Sequence, residues 1–82
     1  MVMYFAYVIQ SQKDQRLYKG VTKDIDQRLK EHNSGKTRST RPFKPWILVY
    51  FEEFDNFDKA RERELFFKSG SGREYLKEHL DP

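Results

Sequence analysis

At 82 residues the chain has room for one hydrophobic core, and it contains no cysteine, which excludes disulfide scaffolds, Cys-type zinc sites and thiol catalysis. Charged residues make up 35% and mean hydropathy is −0.97, but seven Phe, five Tyr and one Trp argue for a packed fold rather than disorder. No apolar run reaches the roughly 18 residues of a spanning helix, and Met1–Ile9 lacks a basic leader and cleavage site, so a cytoplasmic protein with no membrane partner is expected.

Met3–Ile9 is aromatic and β-branched, which predicts a strand. Ser11–Gln15 turns the chain, and Arg16–Val21 resumes an extended pattern, giving a hairpin. Asp24 followed by Gln27 has capping-box spacing, so a helix is predicted from Ile25 to about Asn33, with Gly35 past its end. Gly35–Pro45 carries Lys36, Arg38, Arg41 and Lys44 with no acid, and Pro42 and Pro45 bar regular structure there. The unbroken apolar run Trp46–Phe51 reads as a central strand covered on both faces. Asp55 or Asn56 caps a second helix through Lys68, and Ser71 or Gly72 opens a third to Leu80. The class is α+β: a small mixed three-stranded sheet flanked by helices, order β-β-α-β-α-α.

Charge is uneven along this order. Residues 1–50 hold ten Lys and Arg against four Asp and Glu, and residues 51–82 hold six against nine. The basic loop suits phosphate contacts; as plain surface polarity it would only keep the protein in solution.

Ionisable residues also stand where apolar ones belong. With Ile25 at zero on a helical wheel, Leu29 lies at about +40°, His32 at about −20° and Arg28 at about −60°. Arg28 and His32 therefore share the inward stripe, unless Arg28 snorkels to water and His32 simply bonds a carbonyl. On the second helix, with Ala60 at zero, Glu64 falls near +40°, between Phe57 and Phe67. An inward Glu needs a partner: either a structural ion pair with Arg28 or a metal ion in a cleft. Tyr7 and Tyr18 are on strands, and Gly20 beside Tyr18 leaves space for a ligand to approach. Two Tyr, an Arg, a His and a Glu beside basic residues are useful parts for phosphodiester hydrolysis, with Arg countering phosphoryl charge and Tyr or His taking a proton.

The chain resembles the GIY-YIG nuclease superfamily, in particular its small single-domain bacterial members, over essentially its whole length, 1–82. Phe5-Ala6-Tyr7 stands where the first signature reads Gly-Ile-Tyr, and Tyr18-Lys19-Gly20 where the second reads Tyr-Ile-Gly. Asp24–Asn33 looks like the helix that carries the family's functional Arg, and Ala60–Glu64 with Lys68–Arg73 is similar to the metal-site helix and its following turn. The resemblance implies an endonuclease cutting DNA, branched or nicked forms included, with Mg²⁺ or Mn²⁺ on Glu64. It implies Arg28 at the scissile phosphate, Tyr7 as general base aided by His32, and Tyr18 orienting water or substrate. Lys19, Lys36, Arg38, Arg41 and Lys44 are the expected nucleic-acid contacts. Many relatives carry a functional Asn after the catalytic Glu, whereas no Asn follows Asn56 here. That absence, with no attached DNA-binding domain of the kind from which family nucleases commonly borrow specificity, motivates a non-catalytic nucleic-acid-binding module as the alternative; for the nuclease it leads to the expectation of little intrinsic sequence specificity and a separate targeting partner.

Overall fold

The computed structural model describes residues 1–80. Its organising element is β1 (Tyr4–Ser11), the strand buried on both faces: Ala6 and Val8 point one way, Tyr7 and Ile9 the other, and none is more than 2% exposed. β1 pairs antiparallel with β2 (Leu17–Thr22) and with β3 (Trp46–Phe54), giving the order β2-β1-β3. Two expectations change here. The sheet is antiparallel throughout rather than mixed, because the two strands that run the same way, β2 and β3, are separated by β1. The apolar run Trp46–Phe51 lies in an edge strand, with Ile47 and Phe51 nearly half-exposed. The strand shielded on both faces is β1, whose aromatic and small side chains alternate between two layers.

α1 (Ile25–Ser34) carries the chain across β1 from the end of β2 to the start of β3. Asp24 caps it by accepting from Gln27 N at 3.0 Å, and Gly35 closes it at φ 85°, where a side chain would be strained. The reciprocal half of the capping box is not made: Thr22 Oγ1 accepts from Asp24 N, and the Gln27 amide turns to Glu31. At the far end the Asn33 side chain clamps Trp46, donating to its carbonyl and accepting from its N–H, which ties α1 to β3.

α1 packs its Ile25 and Leu29 on the Tyr7–Ile9 face. α2 (Phe57–Lys68), capped by Asn56, and α3 (Gly70–Leu80) cover the Ala6–Val8 face through Phe67 and Leu76. Beside them a polar network crosses the layer: Arg63 forks onto Glu52 at 2.9 and 3.1 Å, and Tyr50 and Tyr75 hydroxyls complete it. The basic segment is more ordered than its prolines imply. Arg41–Phe43 forms one 3-10 turn, with Pro42 in the first positions, where no N–H is required. Thr40, next to it, is buried.

Candidate active site

Position 20 is where the sheet gives way to a site. A Cβ on Gly20 would fall 2.6 Å from Tyr7 Oη, so the glycine's empty space is occupied by the Tyr7 phenol rather than left open for a ligand. Tyr7 faces Gly20 across the hairpin register and reaches over it toward the β2 edge. There a cavity of about 270 Å³ opens, lined by Tyr7, Tyr18, Gly20, Val21, Arg28, Phe57, Arg61 and Glu64. Its walls come from both layers: α1 supplies Arg28, and α2 supplies Phe57, Arg61 and Glu64.

Four of the five expected catalytic side chains therefore meet in one cavity, and the fifth stands behind it. His32 is fully buried, with Nε2 3.0 Å from Tyr7 Oη and Nδ1 2.8 Å from Thr40 Oγ1. Thr40 donates to the Thr37 carbonyl, which leaves its oxygen to accept from His32 Nδ1–H. That tautomer presents a bare Nε2 to the Tyr7 hydroxyl, and the donors Tyr7, His32 and Thr40 run without a gap to the accepting Thr37 carbonyl. Burial pushes the Tyr7 phenol up to about 12, with the Arg28 guanidinium pulling the other way. Burial pushes His32 down to about 4, and Arg28 adds to that. At neutral pH the resting pair is a protonated phenol against a neutral imidazole.

Glu64 is not paired with Arg28. Its carboxylate is 8% exposed and held from its own helix, by Arg61 one turn before and by Lys68 Nζ at 3.0 Å one turn after. Arg28 instead pairs with Glu31 at 2.8 Å, also on its own helix, because an i,i+3 partner is reached without crossing the cavity. The guanidinium remains a third exposed and faces the same space as Glu64.

Among the described residues Glu64 is the one acidic side chain lining the cavity, and they contain no group of three or more His, Cys, Asp or Glu placed to hold a metal. This donor set does not fit a cation needing a full protein cage. It fits a hydrated Mg²⁺ or Mn²⁺, which takes one or two carboxylates and keeps its waters and substrate oxygens as the remaining ligands.

Of the expected nucleic-acid contacts, none lines the cavity. Lys19 alternates to the opposite sheet face from Tyr18. Lys36, Arg38, Arg41 and Lys44 are exposed on the segment beyond α1, and Arg41 is tied back to the Gly35 carbonyl at 2.7 Å. Three residues were not singled out from sequence: Arg61, Phe57 and Thr40. Arg61 was findable, since it stands at i−3 from an inward Glu. Thr40 was not, because a buried threonine in a polar loop carries no periodic signal.

Residues 3–78 match the family described as the GIY-YIG catalytic domain. A UPF0213 protein of Clostridium perfringens is 40% identical over 67 residues, spanning 80% of this chain and 71% of its own. A UPF0213 protein of Staphylococcus haemolyticus is 35% identical over 78 residues, 94% of each chain. The solution NMR structure of a UPF0213 protein from Bacillus halodurans shares the fold with a TM-score of 0.58 at 31% identity, covering 98% of this chain and 88% of that one. With its signature tyrosines, Arg28 and Glu64 gathered on one cavity, the chain belongs to the GIY-YIG domain family.

Proposed function

We propose that this protein is a divalent-metal-dependent endonuclease that hydrolyses DNA phosphodiester bonds with little intrinsic sequence specificity, working as a single cytoplasmic domain over residues 1–82 and directed by a separate targeting partner. The observation that carries the reading is the cavity itself, where one recessed carboxylate faces two arginines and two phenols. A structural role alone does not call for that set at a solvent-open edge.

In this reading Glu64 holds Mg²⁺ or Mn²⁺, which when bound supplies Lewis-acid stabilisation of the phosphoryl group and leaving oxygen. Arg28 and Arg61 bind and orient the phosphate and counter its developing charge. Tyr18 positions water or substrate on the sheet side. Tyr7 is the general base: its Oη takes a proton from the attacking water while its own proton passes to His32 Nε2, 3.0 Å away. Arriving phosphate favours this transfer, because it offsets the Arg28 charge that adds to burial in keeping His32 neutral. Lys36, Arg38, Arg41 and Lys44 add sequence-independent backbone attraction.

A non-catalytic nucleic-acid-binding module is the second reading. The observation in its favour is that Arg61 and Lys68 already neutralise Glu64, so a metal ion must compete for the carboxylate. An assay on plasmid, single-stranded and branched DNA, in Mg²⁺, Mn²⁺ or chelator, separates the two. Cutting that stops in chelator supports the nuclease; tight binding with no cutting under any condition supports the module.

A further inference from the structure

The positive charge does not end at the cavity lip. On β2, Tyr18 and Gly20 face the α1 layer, so Lys19 between them faces α2 and α3. Lys19 is registered opposite Val8, which packs under Phe67 of α2 and Leu76 of α3; the joint of these helices carries Lys68, whose Nζ is 3.0 Å from Glu64 at the cavity, and Arg73, in the first turn of α3. Lys19 is partly buried, and its ammonium is held below the usual lysine range by that burial first, then by the Arg73 and Lys68 charges beside it.

The joint between the two helices keeps these groups in place. Ser69 Oγ accepts from Gly72 N at 3.1 Å, and a Cβ on Gly72 would lie 1.7 Å from the Phe66 carbonyl oxygen. The start of α3 therefore rests directly on the end of α2, with no slack for Arg73 to move away by a shift of the helix. Among the described residues neither Lys19 nor Arg73 has an acidic partner, whereas Lys68 is shared with Glu64. Like charges held side by side repel. An anion relieves that repulsion.

We propose that Lys19, Lys68 and Arg73 form a second phosphate subsite, which takes a backbone phosphate flanking the one in the cavity. The identity of the anion as nucleic acid rests on the nuclease reading above. Arg61, Glu64 and Lys68 follow one face of α2, and Arg61 to Lys68 is a rise of about 10 Å. The bound strand accordingly runs along the β2 edge from Arg28 and Arg61 toward the α2–α3 joint, a path distinct from the basic segment after α1.

The test is the salt dependence of binding to a fluorescein-labelled single-stranded DNA, read by anisotropy with the intact chain in chelator. The Lys19→Gln/Arg73→Gln variant is compared with wild type and with Lys30→Gln/Lys77→Gln, which removes the same charge from exposed positions elsewhere. For Lys19→Gln/Arg73→Gln the slope of log affinity against log salt is expected to become shallower by about 0.7, one single-strand phosphate contact. The control pair keeps the wild-type slope. Melting of Lys19→Gln/Arg73→Gln is expected at or above wild type, since the substitutions relieve repulsion. A wild-type slope and affinity in that variant, or a change no larger than in the control, overturns the subsite. Restoring Mg²⁺ separates this from the parent reading. Cutting with an unchanged slope removes the subsite and leaves the nuclease; a changed slope without cutting keeps the subsite and removes the nuclease. No DNA binding by wild type removes both.

Discussion

Tyr7 Oη and His32 Nε2 lie 3.0 Å apart in a space closed to solvent on the His32 side and open to the cavity on the Tyr7 side. The phenol is thus the cavity-facing end of a buried hydrogen-bond chain that terminates at the Thr37 carbonyl. Tyr7→Phe keeps the ring and removes the hydroxyl, leaving His32 Nε2 buried without a partner. A loss of roughly 1–3 kcal/mol in denaturant stability is expected, together with a fall in cleavage rate of about 100-fold or more if the phenol handles the proton. Loss of stability with full cutting would reduce Tyr7 to a packing residue.

His32 gives a pH dependence whose sign is fixed by its burial. Its folded-state value, about 4, lies below the ordinary value of 6.5, so between these the unfolded chain binds more protons than the folded one. Stability therefore rises with pH across this window: the contribution is fully present above 6.5 and is lost as pH falls toward 4, by at most about 3 kcal/mol. Urea melts from pH 7.5 down to 4 are expected to show this slope, and His32→Gln to flatten it. An equally steep slope in the variant would take the acid sensitivity in this window away from His32.

Gly20 is required by proximity rather than by backbone conformation. Alanine there would place its Cβ 2.6–2.8 Å from three Tyr7 ring and hydroxyl atoms, so the phenol would have to shift toward the cavity. Gly20→Ala is expected to cost about 1–3 kcal/mol and to dislodge Tyr7 Oη from His32. The check is a paired measurement of melting and of the His32 imidazole resonances by NMR. Unchanged imidazole shifts would mean that the phenol had kept its place.

Much of this arrangement was legible in the sequence wherever a single element set the answer. The wheel placed His32 and Glu64 inward, and the cap at Asp24, the stop at Gly35 and a cap at Asp55 or Asn56, of which Asn56 makes it, bounded both main helices. Relations between elements were less legible. Hydrophobicity marked Trp46–Phe51 as central, but strand order depends on where α1 delivers the chain, and β1 took the middle. The spacing left Arg28 or a metal as the partner of Glu64; Arg28 pairs with Glu31, and the nearer i−3 and i+4 cations on Glu64's own helix engage the carboxylate. The space above Gly20 was inferred correctly and its occupant was not, since only the hairpin register shows that Tyr7 stands opposite.

The most direct test compares wild type with Glu64→Gln in a nicking assay on supercoiled plasmid with Mg²⁺ or Mn²⁺. Arg61 and Lys68 are each about half-exposed, so they return to water when the carboxylate is neutralised, and stability should shift by less than about 1 kcal/mol. The expected result is metal-dependent nicking by wild type and none by Glu64→Gln, with melting and DNA affinity alike in the two. Nicking by Glu64→Gln at the wild-type rate would contradict the assignment of this cavity as the catalytic site.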